Sequence, residues 1–171
     1  VTDIITDVSL DWLRARDKSR SFLLMCHHKA PHREWEPALR HLASDGDRMY
    51  PEPPTLFDDY AGRGVAERDQ DMTIDKTMRE LDLKLVPPAD LNAEQRKAWD
   101  AYYEPRNAKF REAKLIGKDL LRWKYQRYMQ DYLGTIKSVD ENVGRLLDYL
   151  EANHLLENTL LVYTSDHGEM L

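Results

Sequence analysis

The sequence predicts an α/β protein from three observations. A helical pattern runs into a short apolar stretch, a long amphipathic segment runs into a second such stretch, and a polar cluster follows each stretch. In the first unit, Ile5, Val8 and Trp12 recur at helical spacing over residues 2–16, with Leu13 widening the stripe and Thr2 or Asp3 available as an N-cap. After the charged turn at 16–20, residues 21–26 are short, almost uniformly apolar and followed by polar residues, which fits a buried parallel strand. Residues 27–54 then hold five of the eight prolines (Pro31, Pro37, Pro51, Pro53 and Pro54) and little periodicity, the mark of a long functional loop.

Residues 55–89 are strongly charged, and a short helix is expected around 75–85, stopped by Pro87 and Pro88. A helical pattern resumes at Leu91 through Trp99, Tyr102 and Tyr103, breaks at Pro105 and restarts toward Phe110. The longest signal covers 120–150. Leu121, Tyr125, Tyr128, Tyr132, Ile136, Val139, Val143, Leu147 and Leu150 recur every three or four residues, as in one long helix or two with a bend near Gly134. At this spacing the aromatic stripe is expected to pack in a core, not to bind a ligand. A turn at 152–154 leads to 159–164, read as a second buried strand.

Composition narrows the function. The 171 residues carry 25 Lys and Arg against 31 Asp and Glu, a net charge of −6, with no basic block. Nucleic acid is therefore a poor partner, because phosphate-backbone affinity comes from clustered cations. The longest wholly apolar run, 22–26, is far short of the ~20 residues that span a bilayer. A single cysteine, Cys26, excludes an internal disulfide and a cysteine-rich zinc site. The chain opens on Val1 and not on methionine, so we expect an interior stretch of a longer polypeptide, with any targeting segment upstream.

The chemistry concentrates at the two predicted strand ends, where open α/β sheets bind ligands. The first cluster is His27-His28-Lys29-Ala30-Pro31-His32-Arg33. Lys29 and Arg33 are cations, the three histidines donate or shuttle protons near neutral pH, and Pro31 stiffens the turn that presents His32. The group suits an anionic oxyester: cations bind the charge and a histidine protonates the leaving oxygen. A solvated basic loop and a transition-metal site are the competing readings, although the spacing lacks a helical i, i+4 register or a cysteine partner. The second cluster is Ser165-Asp166-His167-Gly168-Glu169. Asp166 and His167 are candidate ligands of a divalent cation, or else a helix cap beside a surface histidine. Two ligands leave such a shell incomplete.

Three blocks carry a resemblance. They are Phe22-Leu-Leu-Met-Cys-His-His-Lys-Ala-Pro-His-Arg-Glu-Trp-Glu-Pro37, Tyr132-Leu-Gly-Thr-Ile-Lys-Ser-Val-Asp-Glu-Asn-Val-Gly-Arg-Leu-Leu147 and Leu161-Val-Tyr-Thr-Ser-Asp-His-Gly-Glu-Met170. In this order they resemble the middle portion of a sulfatase of the alkaline phosphatase superfamily. The first block is most similar to bacterial N-acetylglucosamine-6-sulfatases and other enzymes that desulfate glycosaminoglycans.

The resemblance implies an alkaline-phosphatase-like sandwich, incomplete in this chain, with a mostly parallel buried sheet flanked by helices. It divides the chain into a helix and strand over 1–28, an active-site loop and helical insertion over 29–119, the long helix over 120–150, and a strand with metal motif over 159–171. It implies hydrolysis of a sulfate ester on a sulfated carbohydrate, with formylglycine as nucleophile and calcium (Ca2+) offsetting the sulfate charge. His32 matches the histidine that assists leaving-group departure. Lys29, with His28 and Arg33 beside it, falls where sulfate or sugar is bound, and Asp166 and His167 match a calcium pair.

The departures are equally informative. Cys26 precedes His-His-Lys-Ala and not x-Pro-x-Arg, so it is no formylglycine site. The Asp-Asp metal pair, the Gly-Lys-x-x-His type segment and the lysine that follows the Asp-His motif are all missing. The nucleophile is expected upstream, the rest of the same polypeptide is the expected partner, and the chain alone is expected to be inactive. Family habit places it in the periplasm or outside the cell. A phosphodiesterase or phosphonate hydrolase of the same superfamily shares the Asp-His metal logic and is the competing enzyme reading. A non-enzymatic helical interaction domain built on 120–150 is the third.

Overall fold

A computed structural model describes residues 1–165, and their regular structure is helical. The helices are α1 (Thr2–Ala15), α2 (Val65–Asp69), α3 (Ile74–Thr77), α4 (Ala93–Ala113) and α5 (Gly117–Ala152), with 3-10 turns at Leu39–His41 and Leu156–Asn158. The two stretches expected as strands, 21–26 and 159–164, are extended but form no ladder among the described residues. A buried parallel strand needs hydrogen-bonded neighbours, and the described residues place none beside either stretch. The expected sheet is thus not formed within 1–165.

The 36 residues of α5 form one continuous helix with no break at Gly134. At ~1.5 Å per residue the helix is ~54 Å long, and α1, α3 and both 3-10 turns pack against it. Every position of the expected apolar stripe is at least partly covered, and Tyr125, Tyr128, Val139 and Leu150 are buried. The loop after Trp35 runs antiparallel to α5 as a strap. Ala38 N donates to Ser138 Oγ at 3.0 Å, Gln130 Nε2 to the Arg48 carbonyl at 3.0 Å, and Gln126 both accepts from and donates to the Tyr50 main chain at 2.8 Å. Tyr125 Oη then donates to the Pro51 carbonyl at 2.8 Å. Gly134 permits the closest crossing: a methyl group there would sit 3.1 Å from Pro37 Cγ and 3.4 Å from the His41 carbonyl oxygen.

The first helix ends as expected to within a residue, but it packs differently. Leu10 and Leu13, with small Thr6 and Ser9, are buried, whereas Ile4, Val8 and Trp12 are exposed. Apolar residues thus lie on two faces of α1. One face meets α5, where Arg145 pairs with Asp7, and Arg40 joins Asp3 on α1 to Glu141 on α5.

Two further expectations change. α4 runs unbroken through Pro105. Proline at this depth removes one backbone donor, but it lies on an exposed face, and the helix is fixed at its start by a reciprocal capping box between Asn92 and Gln95, both bonds at 2.9 Å. The helix expected at 75–85 stops at Thr77. Beyond it the Asp82 carboxylate accepts from Arg79 N at 2.8 Å and Lys84 takes a positive φ of 54°, so 78–85 folds into an irregular, partly buried knot.

Candidate active site

The polar cluster after 21–26 is an exposed tip on an anchored base. Residues 21–30 alternate in exposure, as an extended chain against one surface does. Phe22 faces α1, its ring 6.0 Å from Trp12 in an edge-to-face contact and under the Arg16 guanidinium at 4.7 Å. Cys26 lies on the same side, its Sγ 3.3 Å from Ser9 Oγ and 3.7 Å from His28 Nε2. Burial lowers the His28 pKa and favours the neutral ring. His28 is therefore turned toward Cys26, away from the exposed tip.

The tip contains Lys29 and His32, both exposed and brought together by a turn in which His32 N donates to the Lys29 carbonyl at 2.9 Å. His32 Nδ1 lies 2.5 Å from the carbonyl oxygen of Arg33. A carbonyl only accepts, so Nδ1 carries the proton and Nε2 is left for other partners.

Arg33 begins the anchored base. Its Nε donates to Asp82 Oδ1 at 2.7 Å, its Nη2 donates to Asp82 Oδ2 as well, and Nη2 also reaches the Thr77 carbonyl at 2.5 Å. Arg79 adds a second cation to Asp82 and pairs with Glu34 at 2.7 Å. Asp82 is 1% exposed. Burial pushes its pKa up, but the bonds from Arg33 and Arg79 outweigh it and hold the carboxyl well below the usual carboxylate range, while Asp82 in turn raises the pKa of Arg33. Trp35 closes the base, buried edge-on against Tyr128 with ring centroids 4.6 Å apart.

The structure therefore joins Lys29 and His32, engages Arg33 in an ion pair and directs His28 elsewhere. Asp166 and His167 lie outside the described residues. Sequence reasoning missed Asp82 and Arg79. Their signal is visible in retrospect: Asp82 and Lys84 alternate with Leu81, Leu83 and Leu85, so two charges sit inside an apolar segment. Among the described residues no group of three or more His, Cys, Asp or Glu side chains can hold a metal ion, and no helix is long and apolar enough to cross a membrane.

Comparison with known proteins defines the class. The Sulfatase family model matches residues 1–171, and the chain belongs to the sulfatase family. It is 47% identical to an N-acetylglucosamine-6-O-sulfatase of Bacteroides thetaiotaomicron, over 99% of this chain and 33% of that protein. It is 26% identical to an arylsulfatase of Clostridium perfringens, over 99% of this chain and 27% of that one. A solved structure of a protein in complex with its substrate D-glucosamine-2-N,6-O-disulfate superposes with a TM-score of 0.87 at 46% identity, over 92% of this chain and 35% of the other. The chain spans between about a quarter and a third of the length of these relatives.

Proposed function

We propose that this chain is an interior part of a sulfatase catalytic domain that hydrolyses the sulfate ester of a sulfated amino sugar of the glycosaminoglycan or mucin type. The observation that carries the reading is the exposed Lys29–His32 turn, in a chain 47% identical to an N-acetylglucosamine-6-O-sulfatase. The neighbour bound to a disulfated glucosamine supports the substrate class.

In this reading Lys29 binds the sulfate charge. For this step His32 takes part as the imidazolium: Nδ1 keeps its proton on the Arg33 carbonyl, and the second proton, carried on Nε2, is the transferable one. As the S–O bond to the sugar breaks, that proton passes to the departing oxygen, and the sugar leaves as an alcohol. Arg33 serves the site by anchoring the turn, and His28 lies behind it. When present, the formylglycine of this family supplies the nucleophile and calcium offsets the sulfate charge. The donors this chain offers to calcium are Asp166 and His167, with oxygen the preferred ligand type.

The same reading makes 21–26 and 159–164 strands of an alkaline-phosphatase-like sheet whose other strands come from the rest of the polypeptide. It accounts for apolar side chains left in water, such as Leu23 at 82%, Leu160 at 89% and Tyr163 at 83% exposure. The proposed partition is a helix and strand at 1–28, site loop and insertion at 29–119, long helix at 120–150, and strand with metal motif at 159–171. A periplasmic or secreted location follows family habit.

The test replaces the matching third of the Bacteroides enzyme with residues 1–171 and measures sulfate release from glucosamine 6-sulfate, with a phosphodiester as control. Sulfate release that falls by about 10²–10⁴ in His32→Ala is the expected result. Phosphodiester turnover without sulfate release would move the chain to the phosphodiesterase reading. Full activity of the isolated 171 residues would overturn the division of the site.

A further inference from the structure

We infer that Asp82 is a positioning residue for His32, acting through Arg33. The inference rests on the role proposed above for His32, and three contacts in series carry it. The Asp82 carboxylate takes two donors from the Arg33 guanidinium, the Arg33 carbonyl takes the proton of His32 Nδ1, and Nε2 is thereby aimed. One residue thus faces two ways: its side chain is tied to a buried anion while its main chain holds the imidazole.

The anchor is itself held from behind. Lys84, 2% exposed, directs Nζ toward the carbonyls of Glu34, Leu81 and Asp82 at 3.4–3.5 Å. Its own carbonyl accepts from Asn107 Nδ2 on α4 at 2.8 Å, and Asn107 Oδ1 accepts from Arg127 on α5 at 3.2 Å. Polar contacts therefore run from the two long helices to the base of the tip. This is the arrangement in which a third group fixes the tautomer and angle of a catalytic imidazole, with a guanidinium and a peptide carbonyl in place of the usual direct carboxylate. Asp82 lies 50 residues beyond His32 in the chain and on no predicted strand end, so sequence patterns give no hint of the connection.

Two substrates separate positioning from a general loss of fold. A sugar sulfate leaves as an alkoxide and needs the proton from Nε2, whereas 4-nitrophenyl sulfate leaves as a stabilised phenolate and does not. In the complete sulfatase polypeptide, Asp82→Asn and Arg33→Ala are expected to lower kcat on glucosamine 6-sulfate by about ten-fold or more. KM and the rate on 4-nitrophenyl sulfate should change by less than about three-fold. Equal losses on both substrates, or an unchanged kcat on the sugar, would overturn the inference. If Asp82→Asn does not fold, Arg33→Ala decides, since its side chain is partly exposed.

If the unmodified polypeptide releases no sulfate, the functional reading fails, and the positional claim is decided by 15N NMR of the His32 ring in the 171-residue chain. Loss of the Nδ1-protonated tautomer in Arg33→Ala or Asp82→Asn sustains it. An unaltered ring spectrum in both overturns it.

Discussion

Tyr103 on α4 donates its hydroxyl to one oxygen of Asp131 on α5 at 2.7 Å, and the other carboxylate oxygen has no partner in that buried interface. Burial raises the pKa of both groups, and Lys84 and Arg127 supply the nearby positive charge. Tyr103→Phe would remove the hydrogen bond and leave a fully buried carboxylate without a donor, so stability should drop by about 1–3 kcal/mol. Urea unfolding of the chain checks this. A midpoint unchanged from the parent would mean that water or Lys84 already satisfies Asp131.

Trp35 offers a test that separates shape from polarity. Its ring packs edge-on against Tyr128, yet its indole N–H is buried with no acceptor. Trp35→Ala should cost about 3–5 kcal/mol, as truncating a buried aromatic does. Trp35→Phe retains a ring and deletes the unsatisfied donor, so its cost should be well under half of that. Comparable losses for the two substitutions would show that the indole nitrogen has a partner after all.

These two sites also mark how far the sequence could be read. The helix at 120–150 was legible because its apolar residues repeat at helical spacing. Asp131, Thr135, Ser138 and Asn142, buried at similar spacing, were not, because a polar residue on the inner face looks like surface until its partner is known. The two predicted strands are left unpaired for a related reason: local pattern sets which residues want burial, but pairing is non-local, and no described residue pairs with 21–26 or 159–164. In the site, the exposed turn from Lys29 to His32 followed from a proline and charge. The engagement of Arg33 did not, because its partner Asp82 sits 49 residues further on, in an irregular segment read from sequence as part of a helix stopped by Pro87 and Pro88.

Acid should loosen the base of the tip and the α1–α5 seam together. The Arg40 bonds outweigh the burial that pushes Asp3 up, and both Asp3 and Asp82 are held well below the usual carboxylate range. A depressed folded-state pKa means that the unfolded chain binds protons first. The stability from these pairs is complete above the unfolded value near pH ~4 and is lost as pH falls through the folded one. Unfolding midpoints should therefore decline as pH is lowered below about 5, and Asp3→Asn should flatten part of that decline. A slope identical in parent and variant would remove Asp3 from the account.

Gly134 and Gly144 of α5 make different predictions from the same chemistry. Gly144 has open space where a methyl would sit, so Gly144→Ala should gain up to about 1 kcal/mol from helix propensity alone. At Gly134 the same methyl would meet Pro37 Cγ at 3.1 Å, Pro37 Cβ at 3.3 Å and the His41 carbonyl at 3.4 Å. Pro37 is not free to retreat, since the next residue is tied to Ser138 at 3.0 Å. Gly134→Ala should therefore gain less than its counterpart, and Gly134→Leu should lose about 1–3 kcal/mol through overpacking. Thermal melts of the three variants decide it. If Gly134→Leu melts with the parent, the strap does not cross α5 where it is placed, and the anchoring of the site loop through residues 35–38 goes with it.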